Sequence, residues 1–141
     1  MTYTINSTTL TDLITEEVSR VAAASYSDDG GSQYDAVAIH SRDADTIDRM
    51  IRDGVGAVAR RLVDICTVIP SPLALSIYVP DFDTTKETMA KDELDRAISL
   101  GAVATWLKEK LPSRSEEYAT RANNALEIAV GLLKTRTAPT R

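Results

Sequence analysis

The segment Leu73–Val79 constrains the fold more than any other feature of this sequence. Its residues alternate between large apolar and smaller or polar side chains, and a proline bounds it at each end. Alternation with a period of two predicts a β-strand. A lone strand leaves backbone N–H and C=O groups without partners, which is costly where they are buried. Two pairing partners are possible for this strand: residues 36–40 of the same chain, or a strand from a neighbouring subunit.

Helical periodicity dominates the rest of the sequence. Apolar residues recur every three to four positions in four segments, which predicts four amphipathic helices. They run from about Thr9 to Tyr26, from about Ser41 to just before Pro70, from Thr84 towards Pro112, and from about Arg114 to Lys134. The third helix is rich in small residues, and its apolar arc covers more than half of its circumference, which is typical of a central helix. The predicted fold is mainly α, a four-helix domain with one short strand or hairpin at about residues 73–79.

Length and composition are those of one globular domain. The chain has 141 residues, of which 43% are apolar and 26% are charged. Residues 1–134 form the predicted domain. Residues 135–141 are polar, contain Pro139 and show no periodicity, so they are predicted to form a flexible tail.

Several classes of function are disfavoured by the residue counts. One cysteine and one histidine are too few for a Cys/His zinc site or an internal disulfide. A net charge of −5 is unfavourable for gripping phosphate backbones, so we expect no specific nucleic-acid binding. The sequence has no apolar run long enough to span a bilayer and no basic segment followed by an apolar stretch at its start, so we expect neither membrane association nor secretion.

Paired carboxylates are the strongest candidates for chemistry. Asp45 with Asp48 and Asp92 with Asp95 each lie three residues apart on a predicted helix, and two such pairs could hold a divalent metal. Arginines four residues after Asp45, Asp48 and Asp92 favour exposed ion pairs instead. We therefore predict no catalytic, cofactor-binding or metal-binding residue. A small all-helical metal-dependent hydrolase is the first alternative.

Contacts with a partner are predicted from three features. The strand needs a mate, and Trp106 lies towards the polar side of the third helix, where it either folds back over the core or anchors a partner. The basic tail could touch an acidic surface. The residues predicted to bind a partner are Leu73, Leu75, Ile77, Val79, Trp106 and Arg136.

The order of elements resembles that of the small head–tail connector (neck adaptor) proteins of tailed bacteriophages and prophages. The resemblance is carried by Leu10–Val21, Ile47–Leu62, Leu73–Val79 and Leu94–Leu107. It implies a ring-forming homo-oligomer at the portal or tail junction, without catalysis or cofactor, in a virion or the bacterial cytoplasm. We therefore expect a non-catalytic assembly protein with portal or tail proteins as partners. A helical regulator that binds proteins is the second alternative.

Overall fold

The structure is a computed structural model that describes residues 1–24, 37–71, 74–80 and 82–134. This part of the chain contains four α-helices and a small antiparallel sheet, so the mainly α fold class is confirmed. The elements in chain order are β1 (Thr2–Thr4), α1 (Ser7–Ala23), α2 (Ala44–Leu62), β2 (Thr67–Ser71), β3 (Ala74–Tyr78), α3 (Glu87–Leu107) and α4 (Pro112–Leu133). The predicted end of the first helix at Tyr26 and the predicted tail 135–141 lie outside the described residues.

Strand β3 is the predicted strand, and strands of its own chain pair with both of its edges. The sheet order is β1-β3-β2, and both pairings are antiparallel. Ile77 donates its N–H to the carbonyl of Met1 and accepts from the amino group of Met1, each at 2.8 Å. Neither expected mate is therefore correct. Residues 37–40 form no strand, and β3 has no free edge for a neighbouring subunit.

Strand β2 was expected to be the end of the second helix, but α2 stops at Leu62. Four residues turn the chain, and Thr67–Ser71 then pairs with β3. β-Branched residues such as Val68 favour an extended backbone that packs on a neighbouring strand. Ile65 and Cys66 still pack against the core beyond the helix end, which explains why the apolar spacing appeared to continue.

The outer edge of β2 is blunted by Pro70, which lies opposite Leu75. Hydrogen-bonded and non-bonded pairs alternate along an antiparallel ladder. Since Ile77 directs its groups to β1, Leu75 does the same, and the backbone of Pro70 faces the edge of β2 that no described strand pairs with. A proline there costs no ladder hydrogen bond and removes a donor from the edge, which disfavours the addition of another strand.

Helix α3 is the central helix, as its wide apolar arc predicts. It packs against α1, α2 and α4. In its second half nearly every residue is buried, and only Gly101 and Thr105 retain substantial exposure. Both lie on the side of α3 that faces the space between α2 and α4.

Capping fixes where the helices begin. The side chain of Asn6 accepts a hydrogen bond from the backbone N–H of Thr9 at 3.0 Å, so α1 starts earlier than predicted. Asp83 accepts from the N–H of Thr85 at 3.1 Å and starts a 3-10 turn that leads into α3. Helix α4 starts at Pro112, a residue suited to a first turn because its missing N–H would have no partner there.

None of the helices that the structure describes combines the length and the apolar run needed to cross a membrane.

Candidate functional site

Most residues predicted to bind a partner lie in the core. Leu75, Ile77 and Val79 are 0%, 2% and 8% exposed, because the inner face of the sheet packs against the helices. The structure therefore corrects the expectation that these side chains offer a surface to a partner. Leu73 and Arg136 lie outside the described residues.

Trp106 folds back over the core, which decides between its two predicted roles. Its indole Nε1 donates a hydrogen bond to the backbone carbonyl of Val37 at 2.6 Å, and only 8% of the residue is exposed. The ammonium of Lys110 lies 4.2 Å from the ring centroid. A ring held in this way packs on its own chain beside Val37 and is not available as an anchor for a partner.

The carboxylate pairs make contacts other than metal ligation. Asp48 accepts from Arg52 at 2.8 Å, the predicted helical ion pair, and Asp95 accepts from the hydroxyl of Tyr3. Burial raises the pKa of the Asp95 carboxyl, and the hydrogen bond from Tyr3 partly offsets that rise. Across the described ranges, no three His, Cys, Asp or Glu side chains gather where they could hold one metal ion.

A groove of about 470 Å³ runs along α3 between α2 and α4, and it is the candidate functional site. A volume of this size lies within the range of ligand and peptide sites. Small residues of α3 form its floor, and residues of α2 and α4 form its walls. The floor includes Ala97, Gly101 and Ala104, the α2 wall Met50, Asp53 and Ala57, and the α4 wall Ala119, Asn123 and Leu126.

Close contacts of α3 with each neighbour set the width of the groove. A Cβ added to Gly54 would lie 3.0 Å from Cγ2 of Ile98, so α2 and α3 touch there. A Cβ at Gly101 would lie 3.9 Å from that of Ala122, an ordinary contact. Helices α2 and α4 are joined by the guanidinium of Arg61, which makes two hydrogen bonds of 3.1 Å to the carboxylate of Glu127.

The lining of the groove is chemically simple. Asp53 is the one charged residue among the described residues that line it, and Asp53 is exposed. The hydroxyl of Thr105 donates to the carbonyl of Gly101 at 3.0 Å and so is already used within α3. The lining contains no nucleophile beside a base. Such a surface can bury apolar side chains and accept one basic group, which are the properties of a contact surface.

Comparison with known proteins assigns no function to this groove. No protein-family model, no curated protein and no solved structure matches the chain. A function for this chain is therefore argued from the groove and from the helices that form it.

The sequence contained a signal for this groove, although it was interpreted differently. The third helix is rich in small residues and has a wide apolar arc, which indicates a central helix. Close approach depends on a glycine of α2, since Gly54 meets Ile98 of α3. Around Gly101 the small side chains of α3 leave space between α2 and α4. Only the relative placement of three helices decides between these outcomes.

Proposed function

We propose that this chain is a non-catalytic assembly protein that acts by binding further copies of itself. One observation carries the proposal: the groove between α2 and α4 is lined mostly by apolar side chains, with Asp53, Thr105 and Asn123 as its polar residues, and lies open on the surface formed by the described residues. Burial of apolar surface is the main source of affinity in protein association. A concave apolar surface without reactive groups therefore supports binding rather than catalysis.

A second copy is the occupant best supported by the charges beside the groove. The solvent-facing side of α2 adjoins the wall formed by Asp53 and Ala57, and this side carries both arginines and aspartates. A surface that meets an identical surface must supply both members of every ion pair. A mixed-charge helix face meets that requirement, whereas a face of one sign would repel its copy.

The resemblance to head–tail connector proteins suggests where such an assembly protein would act. In that setting the chain is a phage or prophage subunit whose further partners are portal or tail proteins. The contact does not run through β3, because both of its edges are already paired within the chain. A contact between identical surfaces gives a dimer, and a ring would need a second contact between two different surfaces of each copy.

Sedimentation of the full chain from low to high micromolar concentration tests the proposal. We expect the mass to rise with concentration. The variant Ala119→Trp places a large ring on the α4 wall of the groove, and Asn124→Trp, outside the groove on the same helix, is its matched control. The first variant should weaken association and the second should leave it unchanged, with circular dichroism showing that both are folded.

A wild-type chain that stays monomeric at every concentration would contradict the proposal and favour a helical regulator that binds a different protein. Equal loss of association in the two tryptophan variants would show that the groove is not the contact surface.

A further inference from the structure

Helix α2 and the turn after it carry a row of side chains whose order is self-complementary. The row, called here the α2 outer face, consists of Arg49, Asp53, Gly56, Ala57, Arg60 and Asp64. The intervals between successive members are four, three, one, three and four residues, which read the same in both directions. Spacings of three and four place residues on one side of a helix. All but Gly56 are exposed, and the buried residues of α2 lie on the opposite side.

An antiparallel copy of this face meets it with opposite charges. Reversal of the row exchanges arginine with aspartate at every charged position. About a two-fold axis between residues 56 and 57, Asp53 therefore lies opposite Arg60 of the partner subunit. The same axis places Arg49 opposite Asp64 of the partner subunit, so that each kind of pair occurs twice.

Small residues at the centre of the row permit the two helices to approach closely. Gly56 and Ala57 lie next to the proposed axis, where helices with small contact residues pack at about 8 Å. A Cβ added to Gly56 would meet only the guanidinium of its own Arg60, at 3.7 Å. A side chain that is already directed along this face can turn towards a second copy without rearrangement of the backbone.

The four charged side chains form no ion pair within the part of the chain that the structure describes, although Asp64 lies near enough to Arg61 to help raise the pKa of that guanidinium. The arginines on the flanks of α2 have intrachain partners, since Arg52 pairs with Asp48 and Arg61 pairs with Glu127. Arg49, Asp53, Arg60 and Asp64 form no ion pair with another described residue. The helix thus satisfies its flanking charges within the chain and leaves those of its outer face available.

The same symmetry accounts for an exposed apolar residue beside the row. Val63 is 59% exposed. The proposed axis places Val63 of the partner subunit opposite Met50, and Met50 lines the groove. The second copy would therefore direct an apolar side chain towards the groove.

We infer that α2 pairs with α2 of a second copy in an antiparallel arrangement about a two-fold axis between Gly56 and Ala57. The inference rests on the proposed self-association and adds its geometry. Exposed ion pairs contribute little affinity individually. The charges of the α2 outer face fix the direction and register of the two helices, while the close contact and the buried apolar residues supply the affinity.

A charge swap in the full chain tests this register. Asp53→Arg alone and Arg60→Asp alone each place like charges together twice in the dimer, and each should weaken dimerisation at least about tenfold. The double variant restores opposite charges and should return the dissociation constant to within a few-fold of the wild type. Glu109→Arg, exposed and outside the α2 outer face, is the control that makes the same change in net charge as Asp53→Arg.

A disulfide provides a second measurement that does not depend on charge. In a Cys66→Ser background, Ala57→Cys lies next to the proposed axis and should form a covalent dimer on mild oxidation. Asn124→Cys in the same background should form no covalent dimer under the same conditions.

The outcomes separate this inference from the proposed function. If the wild-type chain associates and the single and double swaps weaken dimerisation equally, or none of them weakens it, the α2 geometry is wrong. Self-association itself would then still stand. A monomeric wild-type chain would overturn both.

Discussion

The two sides of α3 differ in the size of their side chains and in what covers them. On the side opposite Gly101, Leu100, Val103 and Leu107 are buried, the last two completely. On the side of Gly101, alanines and a glycine form the floor of a groove that remains open. One helix therefore closes the core along one side, and along the other it forms a groove floor at which Gly101 and Thr105 remain accessible.

This difference separates stability from binding. Large side chains that interlock contribute most of the free energy of folding, because each removes much apolar surface from water. Small side chains at the groove contribute little to folding and keep surface available for a second copy. Substitutions on the two sides of α3 should therefore have different effects, and the predictions below test that separation in order of decreasing effect.

The largest effect is expected for Leu107→Ala on the closed side. Leu107 is fully buried, so the substitution loses apolar contacts and leaves a cavity. We expect the free energy of unfolding to fall by about 2–5 kcal/mol. Urea denaturation followed by circular dichroism measures it. A loss below about 1 kcal/mol would show that this side is not closely packed and would remove the contrast with the groove.

Trp106→Phe should have the next largest effect. The substitution keeps an aromatic ring but removes the hydrogen bond to the carbonyl of Val37, which leaves a buried acceptor without its partner. We expect a loss of about 1–3 kcal/mol in thermal or urea unfolding followed by circular dichroism. Lys110→Ala removes only the cation above the ring and should cost less than about 1 kcal/mol. Equal losses would mean that the hydrogen bond has little effect.

Tyr3→Phe should lower the free energy of unfolding near neutral pH. It should also make the decline of that free energy at high pH smaller than in the wild type. Burial, together with the hydrogen bond to Asp95, raises the pKa of the Tyr3 phenol above its ordinary value. Above about pH 10 the unfolded chain loses this proton while the folded chain keeps it, so stability falls as pH rises. Phenylalanine has no such proton, which makes the decline shallower. The lost hydrogen bond itself costs about 1 kcal/mol near neutral pH.

Urea denaturation near neutral pH and above about pH 10 measures both effects of Tyr3→Phe. Tyr78→Phe is the control, because Tyr78 is 65% exposed. Part of the alkaline decline should remain in Tyr3→Phe, since burial also raises the pKa of Tyr118. An unchanged decline after loss of the Tyr3 hydroxyl would contradict the account.

The helices could be predicted from the sequence because their determinants are local. The apolar spacing of α2 and α3 identifies both helices, and the prolines around Leu73–Val79 identify β3. The mates of β3 could not be predicted in this way. Strand β1 has three residues, too few for a period of two to stand out, and β2 continued the apolar spacing of a helix.

The candidate site was harder to predict than the fold because it depends on the relative positions of three helices. Its residues are mostly alanines, glycines and a few larger apolar side chains, types that also occur at closely packed helix contacts. The strand and Trp106 carried larger apolar side chains and were chosen as partner contacts for that reason. The structure buries these side chains in the core of their own chain, so they are not partner contacts. The order of charges on α2 is visible in the sequence, but its exposure is known only once the helix is packed.

The smallest effects are expected at two glycines that differ in how much space surrounds them. Alanine favours the helical backbone over glycine by about 1 kcal/mol. At Gly101 the added methyl group finds ordinary contact distance, so Gly101→Ala should stabilise the chain by up to about that amount. At Gly54 the methyl group would lie 3.0 Å from Ile98, so the gain should be cancelled or reversed. Urea denaturation of the two variants side by side measures the difference. If both substitutions stabilise the chain equally, α2 and α3 are not in close contact at Gly54, and the groove would then be wider than the structure has it.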